Sequence, residues 1–258
     1  QPHRPPQAVR CFPALLCRLL CFLLRSGPAF RLRLLVQLNF EKLPHIEDFP
    51  RQGILQIFLA CENDCLYGFD FNSADEQTDQ NGFRVIYHKD IITDTSLLIS
   101  DDDIPCDSFS SDEYDFPLKK EFILCAEEPD KCPATPDDYR FGNALVSSYS
   151  EIMGQEVSNY WNIDGYDTPY DRCPESVAFI GGYPRFTQSD PREDCPSLEG
   201  FDRVLFELGS LQGEEITSWG GHDFDIIWGD VGTGVFLIPA EKLRACDFSE
   251  VVYNYDCG

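Results

Sequence analysis

The sequence predicts a strand-rich α+β protein in which two related sheets, antiparallel or mixed, arise from an internal duplication, with a helix between them. Three observations carry this expectation. From residue 34 onward, short runs of β-branched and aromatic residues alternate with acidic loops punctuated by Pro and Gly. Three of these runs, within about residues 34–90, recur in the same order within about residues 204–258. Between the two sets lies a stretch with helical start and stop signals and a helical stripe of apolar residues. With 258 residues, 43% hydrophobic and 13% aromatic, the chain is long and apolar enough for one packed domain.

The first segment stands apart from the rest. Residues 1–40 hold six Arg and no acid, whereas all 45 acidic residues lie from Glu41 onward. The apolar stretch from Cys11 to Leu24 is interrupted by Pro13 and Arg18 and is too short for a bilayer core of about 30 Å. No clean small-residue cleavage site follows it. Residues 1–33 are therefore expected to be non-native or disordered, the product of a shifted reading frame or a misplaced start, and residues 34–258 to form a single domain.

Residues 34–39 read as the first strand. Residues 53–59 follow as the second, after a loop holding Pro44 and Pro50, and residues 82–88 as the third. Residues 204–208 echo the first, with Leu205 and Leu208 matching Leu35 and Leu38, and residues 232–238 echo the second. The third echo sets Val85-Ile86-Tyr87-His88-Lys89-Asp90 beside Val251-Val252-Tyr253-Asn254-Tyr255-Asp256. Neither three-strand unit has much core of its own, so the two should pack together. Thr135-Pro136-Asp137-Asp138 supplies a capping hydroxyl, Pro at the first helical position and acids in the first turn, so the helix is expected to start there. Tyr139, Gly142, Val146, Tyr149 and Met153 form its expected core-facing stripe, and Gly154 its stop. The acidic runs at 70–79 and 101–115 read as solvated loops.

A net charge of -25 opposes nucleic acid and anionic membranes as partners and would attract a basic protein surface. Of the 12 Cys, Cys11, Cys17 and Cys21 lie in the first segment. The other nine are Cys61, Cys65, Cys106, Cys125, Cys132, Cys173, Cys195, Cys246 and Cys257. Their odd number and loose spacing form neither a disulfide framework nor a zinc site, and most read as small buried hydrophobes in a reducing cytoplasm. Asp70 to Asp75 begins like a calcium loop but lacks the central Gly and terminal Glu. There is no Gly-x-Ser-x-Gly, no phosphate-binding Gly-rich loop and no His-Glu-x-x-His, so no catalytic residue, metal ligand or cofactor is assigned.

Two stretches carry the candidate binding residues. In Gly181 to Arg192, two Gly permit a bend, Pro184 and Pro191 fix the chain path, and Tyr183, Thr187, Gln188, Asp190 and Arg192 cluster beside Phe186. These residues can line a small-ligand pocket. They also suit a structural loop whose Asp190 and Arg192 satisfy backbone groups and one another, and the chemistry favours the second reading. Around Trp228-Gly229-Asp230, alternation puts Phe224, Ile226 and Trp228 on one face, and Asp230 reads as a turn residue. Trp228 and Asp230 complete the candidate ligand-binding set.

The motif from Gly181 to Arg192, with Ile227 to Gly234 and the closing Val251 to Cys257, resembles the YwqG family of bacterial proteins. The resemblance covers about residues 34–258. It implies a mixed α+β fold, a bacterial cytoplasmic protein and no established activity, and it supplies no catalytic residues. Members of that family look as though they carry a further Gly-Gly-x-Pro element upstream of the first strand, and residues 1–33 have nothing comparable. Two functions are then open: a non-enzymatic acidic module that docks a basic protein partner, and, as the alternative, a small-ligand-binding protein or hydrolase with its pocket between the repeats.

Overall fold

A computed structural model describes residues 32–61, 66–69, 78–98, 116–126, 134–163, 177–215 and 222–258. The expectations for residues 1–31, for the acidic runs between 70–77 and 101–115, and for Cys65, Cys106, Cys132 and Cys173 lie outside these residues.

Three antiparallel sheets make up the fold. The first is a meander, β1 (Leu32–Asn39), β2 (Ile54–Ala60) and β3 (Phe83–His88), in the order β1-β2-β3. Helix α1 (Phe141–Met153) follows. The second sheet is built from β4 (Ala178–Phe179), β5 (Arg203–Gly209), β8 (Thr233–Ile238) and β9 (Val252–Asp256), in that order. A two-stranded ribbon, β6 (Leu211–Glu215) with β7 (His222–Ile226), projects between β5 and β8. The helical turns α2 (Pro191–Asp194) and α3 (Ala240–Arg244) complete the set.

Period-2 alternation divides the strand residues between two faces. Leu55, Ile57, Leu59, Phe83 and Val85 of the first sheet share one buried cluster with Phe206, Leu208, Phe236, Ile238, Tyr253 and Tyr255 of the second. Val235, Leu237 and Val252 face the opposite way, under Phe186, Leu198 and Phe201. Ring contacts join the sheets, with Phe83 5.9 Å from Phe236 and 5.4 Å from Tyr253. Such pairs contribute about 0.5–1.5 kcal/mol each beyond their buried area.

Each of the two larger sheets carries one irregularity, in the β1–β2 pair and in the β5–β8 pair. Pairing shifts between Leu34↔Phe58 and Val36↔Ile57 in one, and between Val204↔Leu237 and Phe206↔Phe236 in the other. The extra residue, Leu35 or Leu205, lets two consecutive apolar side chains enter the shared cluster while Leu34 and Val204 face the far side. A tightly packed glycine precedes the middle strand of each three-strand set. A Cβ on Gly53 would lie 2.7 Å from the His88 carbonyl oxygen, and one on Gly232 would lie 2.0 Å from that of Asp256.

Three expectations require correction. The register sets Val85 opposite Ile57 and Tyr253, not Val251, opposite Phe236, so the third echo as aligned on Val85 and Val251 does not share one register with the echo of residues 53–59 by 232–238. The helix starts at Phe141, not near Thr135, because the Thr135 hydroxyl expected to cap it donates to the Pro184 carbonyl at 2.6 Å, and Asp138, expected as a first-turn acid, accepts from Arg140. Its expected stripe is not core. Tyr139, Gly142, Val146 and Tyr149 are only half-buried and Met153 is 56% exposed, whereas the buried residue of the helix is Phe141, outside the stripe. The helix does stop at Gly154, whose φ of 65° is the left-handed cap that glycine takes without steric cost. Among the described cysteines, only Cys61 is buried; Cys125 is exposed and Cys195, Cys246 and Cys257 are intermediate.

Candidate functional site

The segment from Gly181 to Arg192 runs along the second sheet and is tied down residue by residue. Gly181 N–H donates to the Val204 carbonyl at 2.8 Å, continuing the β4–β5 pairing, and positive φ at Gly181 and Gly182 turns the chain. Arg185 then donates to Glu207 from both its backbone N–H (2.9 Å) and its Nε (3.1 Å), with its guanidinium 4.6 Å from the Phe179 ring centre. Thr187 and Gln188 give their backbone N–H groups to the Asp256 carboxylate, and the Gln188 side chain donates to the Cys257 carbonyl at 2.6 Å.

Asp190 and Pro191 open α2 in the way the sequence chemistry requires. Pro fixes the first helical φ, and the Asp190 carboxylate caps by accepting the Arg192 backbone N–H at 3.0 Å. The same carboxylate accepts Arg192 Nε at 2.8 Å and the Tyr139 backbone N–H at 3.0 Å. The Arg192 side chain, 0% exposed, also donates to Asp138 at 3.2 Å and to the Phe201 carbonyl at 3.0 Å, and lies 4.9 Å from the Tyr139 ring centre. Arg140 closes the node with a fork onto Asp138 at 2.8 and 2.6 Å, and its guanidinium stands 5.8 Å from the Tyr183 ring centre.

The electrostatics follow from burial against partners. Burial works against the charged form of Asp138, but the hydrogen bonds from Arg140 and the charge of Arg192 outweigh it and hold its carboxyl below the ordinary value. Glu207, 1% exposed, goes the other way: desolvation pushes it up to about 8 in spite of the ion pair with Arg185. Asp256 is also raised by burial, against the N–H groups of Gln188 and Thr187.

The structure therefore separates the seven candidate residues. Asp190 and Arg192 belong to a buried ionic node, with Tyr183, 38% exposed, at its rim. Thr187 and Gln188 clasp the end of β9. Trp228 is fully buried in the core between the sheets, edge-on to Tyr67 at 5.4 Å, and its backbone N–H donates to Ser210 Oγ at 3.0 Å. Asp230 is exposed on the turn before β8, where its carbonyl accepts the Gly258 N–H at 3.0 Å. Asp138, Arg140, Arg185, Glu207 and Asp256 complete these contacts and escaped sequence reasoning. Glu207 left one signal, a lone acid inside the apolar run Val204-Leu205-Phe206-Glu207-Leu208.

A separate concavity of about 440 Å³ lies beside β3, lined by Asp79, Gln80, Arg84, Tyr87, Cys246 and Phe248. Among the described residues, no group of three or more His, Cys, Asp or Glu stands close enough to hold a metal, and no helix is long and apolar enough to cross a membrane. Comparison with known families finds one described as "Domain of unknown function (DUF1963)" matching residues 25–257. No curated protein matches the chain.

Proposed function

Because the chain belongs to the DUF1963 family of domains of unknown function, which brings no assigned reaction with it, we propose from its own chemistry that it is a non-enzymatic, acidic protein-interaction module of a YwqG-like cytoplasmic protein, docking a basic partner protein. The observation that carries this reading is the internal engagement of the polar residues of the Gly181–Arg192 motif. Asp190, Arg192, Thr187 and Gln188 spend their hydrogen-bonding capacity on the fold itself, and Trp228 is enclosed in the core. What the chain offers outward is a surface with a net charge of -25 behind it, which steers a cationic partner and repels a polyanion.

We further read residues 34–258 as one domain built by duplication of a bulged three-strand meander. The support is the shared strand order, the bulges at Leu35 and Leu205, and the glycines that precede the two middle strands, Gly53 and Gly232.

Capture of the native host's proteins on the full chain, repeated across a salt series, tests the module. A specific basic partner released as salt rises is expected, because screening shortens the reach of exposed charges to about 8 Å at physiological ionic strength. A small molecule that raises the melting temperature saturably, with no protein captured, would overturn the reading in favour of a ligand-binding protein.

A further inference from the structure

The interaction-module reading leaves open which surface receives the partner, and a docking edge on the first sheet rests on that reading. Strand β3 is the outer strand of its sheet, paired with β2 alone among the described residues. Its Val85 N–H points away from β2, since it donates to Gln80 Oε1 at 2.9 Å. In an antiparallel ladder the outward-facing groups recur at every second residue, so the N–H and C=O of Tyr87 face the same way.

Part of this edge is closed from within. Gln80, buried and held at a φ of 50°, places its side-chain amide where the peptide group of an added strand would lie. It accepts from Val85 on one side and donates to the Phe248 carbonyl at 2.8 Å on the other. Beyond this plug the edge opens onto the groove of about 440 Å³ between β3 and the loop after α3. The Phe248 and Tyr87 rings, 5.2 Å apart, give it an apolar floor. Asp79, exposed and outside the ion pairs of the described residues, lines it together with Asp247, which Lys242 pairs at 2.9 Å. Arg84 also lines it, although its Nε–H is buried away from the groove's solvent and has no acceptor among the described residues.

We propose that this groove binds an extended, Lys- or Arg-bearing peptide segment of the partner protein, which adds to β3 as a further strand. Strand addition draws affinity from main-chain hydrogen bonds and specificity from side-chain contacts. The Tyr87 N–H and C=O provide the main-chain bonds, and a guest cation pairs with Asp79. The bias toward a cationic guest comes from the Asp79 carboxylate of the groove, unpaired among the described residues, and the net charge of -25 behind it.

The test selects 12-residue random peptides displayed on phage against the full chain at low salt. Affinities of the enriched peptides are then measured for the wild type, Asp79→Lys and Glu151→Lys. The last substitution makes the same charge change on exposed α1, outside the groove. We expect Lys- or Arg-containing peptides whose affinity falls tenfold or more in Asp79→Lys and less than twofold in Glu151→Lys, with slower amide exchange at Tyr87 on binding. Basic peptides that lose affinity equally in both variants, or that bind without protecting Tyr87, overturn the groove and leave the acidic module standing. Selection that enriches no cationic peptide overturns both.

Discussion

Replacing Arg192 by Ala tests whether the most prominent motif of the sequence is architecture. The side chain is 0% exposed and donates to Asp190, Asp138 and the Phe201 carbonyl; both carboxylate side chains are 1% exposed. Truncation would leave two buried carboxylates with only part of their compensation and one carbonyl without its donor. Removing one partner of such a buried arrangement costs about 3–5 kcal/mol, because the remaining charge is neither solvated nor paired. In a domain of this size 1 kcal/mol corresponds to about 2–4 °C, so the melting temperature should fall by about 6–20 °C. Urea unfolding of the full chain at pH 7, followed by tryptophan fluorescence, measures the loss directly, with an unchanged slope showing that the unfolded state is not altered. Arg192→Lys should recover only part of it, since an ammonium keeps the charge but not the fork that spans two carboxylates. A loss below about 1 kcal/mol would refute the reasoning, because a side chain replaceable at that cost is not sealed from water.

Three further outcomes are expected. Glu207 is raised to about 8 in the folded protein, so the native state holds this proton after the unfolded chain has released it, and the contribution of Glu207 to stability falls as pH rises from about 4.5 to about 8. Denaturation midpoints of wild type and Glu207→Gln across this range should converge toward pH 4.5 and separate in favour of the variant toward pH 8; parallel profiles would remove the basis for the shift. Gly234→Ala would set a Cβ 2.5 Å from the ring of fully buried Trp228, and should cost about 1–3 kcal/mol by overpacking, read from unfolding curves together with a change in tryptophan emission. Met153→Glu, at the exposed end of the expected stripe of α1, should shift stability by no more than about 0.5 kcal/mol, and a loss of about 2 kcal/mol or more would restore the core-facing stripe.

The strands were legible because their signal is local: β-branched and aromatic runs between turn residues mark all six strands of the two meanders within two residues of their observed bounds. The bulges were not, since Leu34-Leu35-Val36 and Val204-Leu205-Phe206 read equally well as unbroken apolar runs. Only pairing with a partner strand shows which leucine is extra. The helix start failed for a related reason. Thr135 and Asp138 have capping chemistry, but Pro184 and Arg140 compete for them, and the first of these contacts spans 49 residues. At the candidate site, sequence reasoning found Asp190 and Arg192 as mutual partners but could not supply Asp138, Glu207 or Asp256, whose partners lie at least 22 residues away except for Arg140, next but one to Asp138.

The contacts that bind the two sheets have a kinetic consequence. Each meander closes through neighbouring hairpins, but the Phe83–Phe236 ring pair and the Gln80–Phe248 bond, the latter across 168 residues, form only after a long chain has been brought back on itself. Closing so distant a pair loses chain entropy before the shared core returns any, which slows the rate. Until the sheets meet, Leu55, Ile57, Phe206 and Phe236 lack the cover they have in the shared core, and a net charge of -25 then opposes the approach of a second copy.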